Sequence, residues 1–338
     1  MGGAALGRPQ GIIELAQMAG VSASTVSRAL AGNPSVAAET RARIQELARQ
    51  SGFQINQTAR ALRRQQTQAI GVVLPLGHET GQALSDPFFM SLIGPIADAL
   101  ADRGYDLLLS RVIPTDACWL DTVILSGKVD GVVVVGQSDQ IDVIEAASRR
   151  GAPLVVWGAG VPGMAQVTVG TDNVEGGRLA GEHLIARGRR RLAFLGNPGV
   201  PEFADRLAGM RRAIASAPHP VTEEVIPAHL MAEASYDELL AHFGRGTPPD
   251  GLFAASDVIA ASALRALAAH GYAVPEQVSV VGYDDVLVAL HTTPRLTTIR
   301  QDVARGGRLL VDLLFRRLAG QPAAAVQMVP ELIVRGSS

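Results

Sequence analysis

The chain has 338 residues, enough for two or three domain cores, and 47% of them are apolar, as in a globular protein. No apolar run approaches the roughly 20 residues that a membrane-spanning helix needs, and the first dozen residues lack the apolar stretch of a secretory signal. The single cysteine, Cys118, excludes an intrachain disulfide and favours a reducing cytoplasm, and we expect its side chain to be buried.

The charge is divided unevenly along the chain. Residues 1–66 carry eight arginines against three glutamates, a net charge of +5, whereas the whole chain is −2 and the remainder is therefore −7. A basic amino-terminal segment joined to an acidic body is typical of a module that binds a polyanion. The alternative is that the arginines only form a solvated surface.

The basic segment predicts three short helices and no strand. Apolar residues at spacings of three, one and three define the first helix, which Gly20 ends. Ser22 is a good N-cap for the second helix. The predicted helices span about 12–19, 22–30 and 37–50.

The second helix suits the readout of DNA bases. Small residues at its start permit a close approach to the major groove, and Arg28 can pair with the O6 and N7 atoms of guanine. Nearby hydroxyl groups can bond phosphates and set the register of the protein on DNA. The alternative is an ordinary helical hairpin with solvated polar residues. The predicted contacts are Ser22, Ala23, Ser24, Thr25, Ser27 and Arg28.

A basic segment with a helical pattern follows at residues 56–64. Its Leu62 lies among arginines, and an apolar side chain on a basic hinge suits insertion between bases in the minor groove. Such a short helix would order mainly on DNA. A flexible basic linker is the alternative. The predicted contacts here are Asn56, Ala59, Arg60 and Leu62.

Beyond about residue 67, short β-branched runs alternate with stretches of helical spacing. This alternation predicts parallel sheets covered by helices on both faces, and the number of runs favours two α/β lobes. The predicted strands are Ala69–Leu74, Asp106–Val112, Gly131–Val135, Pro153–Trp157, Gln166–Gly170, Arg191–Leu195, Gly251–Ala254 and Val278–Tyr283.

Several kinds of enzyme or cofactor site are not supported. Gly158–Gly163 matches a dinucleotide-binding pattern, but Pro162 and an early return to a strand predict a loop there. The seven histidines are scattered and have no cysteine partners, so no metal site is expected. No nucleophile elbow or phosphate-binding loop occurs. We therefore expect neither a cofactor nor an enzymatic activity.

The motifs, taken in order, resemble those of the lactose-repressor (LacI/GalR) family of transcriptional regulators. The resemblance begins with Leu15–Leu30 and Asn56–Leu62 and continues to the carboxyl end. Later matching segments are Thr171–Asn173, Asp205–Gly209, Val280–Asp285, Leu296–Asp302 and Leu332–Arg335. Two positions depart from the family pattern: Ala31 stands where Asn is usual, and Ile55 where the hinge often has Pro.

The resemblance implies a helix-turn-helix DNA-binding domain at 8–54, a hinge helix at 55–66 and an effector-binding and dimerisation domain at 67–338. The last would resemble periplasmic sugar-binding proteins, with three chain crossings between two lobes. One lobe would hold about 67–168 and 300–328, and the other about 169–299 and 329–338.

The resemblance also implies an effector in the cleft between the lobes, where Arg206 and Asp284 match the ligand-binding arginine and aspartate of the family. For Phe88 and Phe89 core packing is an alternative, and for Asp172 helix capping is. The full set of candidates is Phe88, Phe89, Asp172, Glu202, Arg206, Leu230, Ser256 and Asp284.

The implied function is a dimeric repressor of carbohydrate genes that a sugar releases from a pseudo-palindromic operator in double-stranded DNA. A periplasmic-type binding protein with no role on DNA, a sugar-modifying enzyme and a regulator that answers a nucleobase are the alternatives. The periplasmic alternative is disfavoured because the first residues do not resemble a secretory signal and because it leaves the basic segment without a role.

Overall fold

The computed structural model describes residue 9 and residues 11–53, 66–77, 81–137 and 139–338. The chain divides into two compact units, Met1–Thr67 and Gln68–Ser338. The predicted hinge contacts Asn56, Ala59, Arg60 and Leu62 lie outside the described residues.

The first unit contains the three predicted helices. They are α1 (Ile12–Ala19), α2 (Ala23–Leu30) and α3 (Ala38–Gln50). Gly20 ends α1 in the left-handed conformation, with φ of 65°, and its N–H bonds the last carbonyls of the helix. A small core forms from one face of each helix, with Leu15, Val26 and Ile44 fully buried.

The second unit alternates strands and helices. Its elements are β1 (Ala69–Pro75), α4 (Pro87–Ala101), β2 (Asp106–Val112), α5 (Trp119–Ile124), β3 (Gly131–Val135), α6 (Ile141–Arg149), β4 (Leu154–Trp157), β5 (Thr168–Thr171), α7 (Asn173–Ala186), β6 (Arg191–Leu195), α8 (Pro201–Ala215), β7 (Thr222–Ile226), α9 (Ala232–Phe243), β8 (Gly251–Ala254), α10 (Asp257–Ala269), β9 (Ser279–Asp284), α11 (Val288–His291), β10 (Thr297–Arg300), α12 (Val303–Leu318), β11 (Val326–Met328) and β12 (Glu331–Ile333).

Two six-stranded sheets define the two lobes. The first lobe has the strand order β11-β5-β4-β3-β1-β2, and the second has β12-β10-β9-β8-β6-β7. The described pairings are parallel except that of β10 with β12. The predicted fold class, a helical head followed by two parallel α/β lobes, is confirmed.

Helices cover both faces of the first sheet. Ile70, Val72 and Leu74 point to one face, where they join the core that α4 and α12 contribute to. Val73 points to the other face and packs with α5 and α6. A valine run such as β3 is therefore buried on both sides, as the parallel arrangement requires.

The chain crosses between the lobes three times, after β5, after β10 and after β11. The first crossing differs slightly from the expected boundary. Strand β5 pairs with β4 and β11, so the first lobe extends to Thr171 instead of about residue 168.

The expectation that Cys118 is buried was wrong. Cys118 lies at the N-terminal end of α5 and its side chain is exposed. A polar turn precedes it, in which the Asp116 carboxylate accepts the Cys118 N–H at 2.7 Å. This turn keeps the segment at the surface.

Candidate functional site

The start of α2 is organised by Ser22. Its backbone is extended, and its Oγ accepts the N–H of Thr25 at 3.2 Å, which satisfies one of the free amides of the helix start. The Ser22 hydroxyl also lies 2.9 Å from that of Ser24 and 2.8 Å from that of Thr25. Three hydroxyl groups thus cluster at one helix end.

Arg28 lies one turn further along the exposed face of α2. Its guanidinium folds back onto Ser24, donating to the carbonyl oxygen at 3.3 Å and to the hydroxyl at 3.4 Å. Both bonds are long and exposed to solvent, so little holds the side chain in place. Ser22 and Ser24 are exposed with it, while Ala23, Thr25 and Ser27 are half-buried.

A cleft opens where the strands of the two sheets end. It contains about 790 Å³ of space, including the part open to solvent. Pro75, Val135 and Trp157 contribute from the carboxyl ends of first-lobe strands, and Asp284 from the end of β9. Ligands of open α/β folds bind outside these strand ends.

Glycines allow the helices α7 and α8 of the second lobe to cross at backbone contact. A Cβ atom on Gly177 would lie 1.9 Å from the carbonyl oxygen of Arg206, and one on Gly209 would lie 1.9 Å from that of Val174. Because neither position has room for a side chain, the two backbones touch. This contact fixes the place of Arg206 on α8.

The side chain of Arg206 is buried and heavily bonded. Its guanidinium lies over the ring of Tyr283 with 3.6 Å to the ring centroid. Nε donates to Asn173 at 2.9 Å, and Nη1 donates to the carbonyl oxygen of Ala255. Nη1 is also 4.0 Å from the carboxylate of Asp284. These contacts give the guanidinium one orientation at the edge of the cleft.

Asp284 occupies a strained position at the end of β9. Asp284 has φ of 111° and Asp285 has φ of 58°, backbone conformations that residues other than glycine rarely adopt. The side chains hold them there: Gln301 donates to Asp284 at 2.7 Å, and Arg335 donates to Asp285 at 2.6 Å. Strain that several bonds maintain is typical of functional sites.

Burial alters the titration of Asp284. Desolvation raises the pKa of this carboxyl to about 7, although the charge of Arg206 and the hydrogen bond from Gln301 act in the opposite direction. Behind it lies Asp257, whose pKa is also raised by burial and by the charge of Asp284. Asp257 is a supporting residue, since its oxygens accept Thr298 Oγ1 and the N–H of Val286.

Aromatic rings form the opposite wall of the cleft. Phe88 and Trp157 are 6.0 Å apart between ring centroids, and Phe88 and Phe89 are 6.1 Å apart. The core-packing alternative holds in part, because Phe89 is a core residue that is 7% exposed and Phe88 is half-buried and packs against the same core. All three nevertheless line the cleft. Such rings can cover the apolar C–H face of a sugar.

The structure brings seven of the eight predicted effector contacts into this lining: Phe88, Phe89, Glu202, Arg206, Leu230, Ser256 and Asp284. Ser256 also caps α10, accepting the N–H of Ile259 at 3.3 Å. Asp172 is the exception. It lies outside the described lining and caps α7, accepting the N–H of Glu175 at 2.9 Å. Its position therefore favours the capping alternative.

Four polar or aromatic lining residues were missed: Gln82, Asp86, Trp157 and Phe203. Asp86 caps α4, with Oδ1 accepting the N–H of Phe88 at 2.9 Å, and Oδ2 accepts Gln82 at 3.0 Å. An aspartate directly before a proline and an apolar helix is a helix-start pattern, so the sequence did contain this signal. Trp157 ends a predicted strand, where ligand contacts gather.

Two family models match the chain. One describes bacterial regulatory proteins of the lacI family and covers residues 11–56, and the other describes a periplasmic binding protein-like domain and covers residues 182–338. Within the described residues, no helix is long and apolar enough to cross a membrane.

Curated relatives resemble the chain over almost its whole length. The HTH-type transcriptional regulator CelR of Thermobifida fusca is 32% identical, with 96% of each chain covered. The HTH-type transcriptional repressor PurR of Mannheimia succiniciproducens is 29% identical, with 96% of this chain and 98% of PurR covered.

Solved structures agree. A CelR–cellobiose complex has a TM-score of 0.68 at 30% identity, covering 98% of this chain and all of that one. A lac repressor dimer bound to operator and an anti-inducer has a TM-score of 0.83 at 26% identity, covering 97% and 99%.

The helical head and the two-lobed body with a cleft, together with these relatives, define a DNA-binding transcriptional regulator. The predicted class is therefore confirmed, and the relatives do not support the enzyme alternative. The chain belongs to the LacI family of bacterial regulatory proteins.

Proposed function

We propose that the protein is a cytoplasmic homodimer that represses carbohydrate genes and leaves its operator when a sugar fills the cleft. The supporting observation is that one cleft has both an aromatic wall, which includes Phe88 and Trp157, and a polar edge, which Arg206 and Asp284 form. A sugar ring has an apolar face for the first and hydroxyl groups for the second.

The route from the cleft to DNA begins at Asp284. Its carboxylate accepts a hydrogen bond from Gln301, which lies on the second crossing between the lobes, between β10 and α12. A hydroxyl group that binds Asp284 competes for that bond and changes how the crossing is held. Closure of the lobes then alters the spacing of the two recognition helices in the dimer.

A titration of sugars tests this function. Labelled DNA fragments from the genomic neighbourhood of the protein are bound first, and neutral mono- and disaccharides, phosphorylated sugars and purine bases are then added. We expect at least one sugar to release the DNA and none of the bases to do so. Release by a purine alone would favour the nucleobase alternative.

Within the head, we propose that Ala23, Ser24 and Arg28 face the bases and that Ser22, Thr25 and Ser27 bond the phosphates of the DNA backbone. Replacing Arg28 by alanine is expected to weaken operator binding by about 5- to 150-fold, the value of one bidentate pair with guanine. Sugar affinity in the free protein is expected to stay the same.

Fluorescence anisotropy of a labelled operator measures the effect of the Arg28 variant. Arg265→Ala is the matched control, because it removes the same charge from an exposed side chain of the second lobe that pairs with Glu233. Equal operator affinity of the Arg28 variant and the wild type would remove this residue from the readout.

The raised pKa of Asp284 predicts that sugar affinity depends on pH. A sugar hydroxyl donates a hydrogen bond to the ionised carboxylate. The affinity for sugar is therefore highest well above the pKa of about 7 and falls as the pH drops below it. Only about a tenth of the protein is ionised at this site at pH 6, so we expect affinity about tenfold lower than at pH 8. Calorimetry at both values measures it, and Asp284→Asn should lose the dependence.

A further inference from the structure

Carboxylates outnumber cations in the cleft. Asp86, Glu202 and Asp284 line it, whereas Arg206 is the only basic side chain among the lining residues that the structure describes. When Asp284 is ionised, above its pKa of about 7, its carboxylate lies 4.0 Å from the guanidinium of Arg206 and opposes that charge, and the aromatic contact with Tyr283 covers one face of the guanidinium. Within the described lining, an anionic ligand group would therefore meet no cation that lacks a counter-charge.

Helix N-termini are the other common sites for anions, and three helices begin at this cleft. At α4 the carboxylate of Asp86 already accepts an amide of the first turn. At α10 the hydroxyl of Ser256 does so. At α8 the first residue is Pro201, which has no N–H, and Glu202 adds a negative charge to the first turn.

The protein thus supplies its own acceptors or negative charge at each of these helix ends. Glu202 has no hydrogen-bond or ion-pair partner among the described residues, so its carboxylate is available to a ligand hydroxyl. A phosphate or carboxylate in the cleft would be repelled by Asp86 and Glu202 together.

We infer that the cleft selects uncharged sugars and rejects phosphorylated and acidic ones, with Asp86 and Glu202 as the residues that set this specificity. The inference rests on the proposed sugar response. The inference goes further than that response, because it separates neutral effectors from anionic ones, whereas the aromatic wall would bind the ring of either kind.

Matched sugars that differ by one charged group test the inference. The pairs are cellobiitol with cellobionate, glucose with glucose 6-phosphate, and trehalose with trehalose 6-phosphate. In both cellobiitol and cellobionate the former reducing unit is an open chain. The two compounds differ only at its first carbon, which is a hydroxymethyl group in cellobiitol and a carboxylate in cellobionate. Dissociation constants are measured by calorimetry on the full chain at low ionic strength and at pH 8, where Asp284 is ionised.

For any pair with a binding member, we expect the neutral sugar to bind about a hundredfold more tightly than the anion, a difference typical of like charges brought together at a binding site. Glu202→Gln and Asp86→Asn keep the shape of the side chains, and Asn is also a good helix cap. Each is expected to narrow the ratio about tenfold. Glu233→Gln, an exposed side chain outside the described lining, is the control and should leave the ratio unchanged.

The outcomes separate the two proposals. An anionic member that binds as tightly as its neutral partner would overturn the charge selection and leave the sugar response standing. A ratio unaffected by both carboxylate variants would overturn the roles of Asp86 and Glu202. Failure of every sugar in this set and in the wider release panel would overturn the proposed function and the inference with it.

Discussion

Replacing Gly177 by alanine is expected to destabilise the second unit by about 3 kcal/mol, the upper range for forcing an extra group into a packed contact. The new Cβ atom would lie 1.9 Å from the carbonyl oxygen of Arg206, which is backbone and cannot rotate away. Helices α7 and α8 must then separate. Calorimetric unfolding should show a melting temperature lower by roughly 6–12 °C.

Gly94→Ala is the control for this experiment. Gly94 also lies within a helix, α4, but a Cβ atom there would meet nothing within 4 Å. Alanine is the better helix former, but here it precedes Pro95, whose ring crowds the Cβ of the residue before it, so the two effects oppose each other and we expect a change in melting temperature much smaller than that of Gly177→Ala. If Gly177→Ala unfolded at the wild-type temperature, the backbone contact between α7 and α8 would not exist as described.

Replacing Arg206 by glutamine is expected to abolish the sugar response at concentrations that release the wild type. The change removes the guanidinium that we propose bonds the sugar, and truncating one partner of a charged hydrogen-bonded pair at a binding site costs about 2–5 kcal/mol of binding free energy. The sugar concentration for half release of operator should therefore rise by at least about 30-fold.

Operator binding without sugar should change little in the Arg206 variant, because the residue lies in the second unit and the reading helix in the first. Arg211→Gln on the same helix serves as the control, since that side chain is exposed and pairs with Glu223. A normal sugar response in the Arg206 variant would remove this residue from the effector site.

The sequence predicted the central strands well because their residues carry the signal locally. Strands β3, β6 and β8 are apolar runs between turns, and their predicted bounds equal the observed ones. Strand β7 was missed because its sequence, Thr-Glu-Glu-Val-Ile, is polar and partly exposed at the sheet edge. Strands β11 and β12 have three residues each and exist only through pairing with distant segments.

Site residues could be predicted from the sequence where the type of residue indicates its chemistry. They could not be predicted where their role depends on how distant segments pack. Resemblance to the family supplied Arg206 and Asp284, and the structure adds the reason for their positions. Nothing local indicates that Gly177 and Gly209 touch opposing backbones, because a glycine within a helical pattern looks only like a weak point. Asp172 could equally cap a helix or bind a ligand until its surroundings were known.

Coupling between the cleft and DNA is the central claim, and one pair of titrations tests it directly. The releasing sugar is titrated by calorimetry into the full chain, once alone and once saturated with its operator fragment. Linkage requires the operator to weaken sugar binding by the same factor by which the sugar weakens operator binding. We predict equal factors well above one, whereas a sugar affinity that is identical with and without operator would contradict the account.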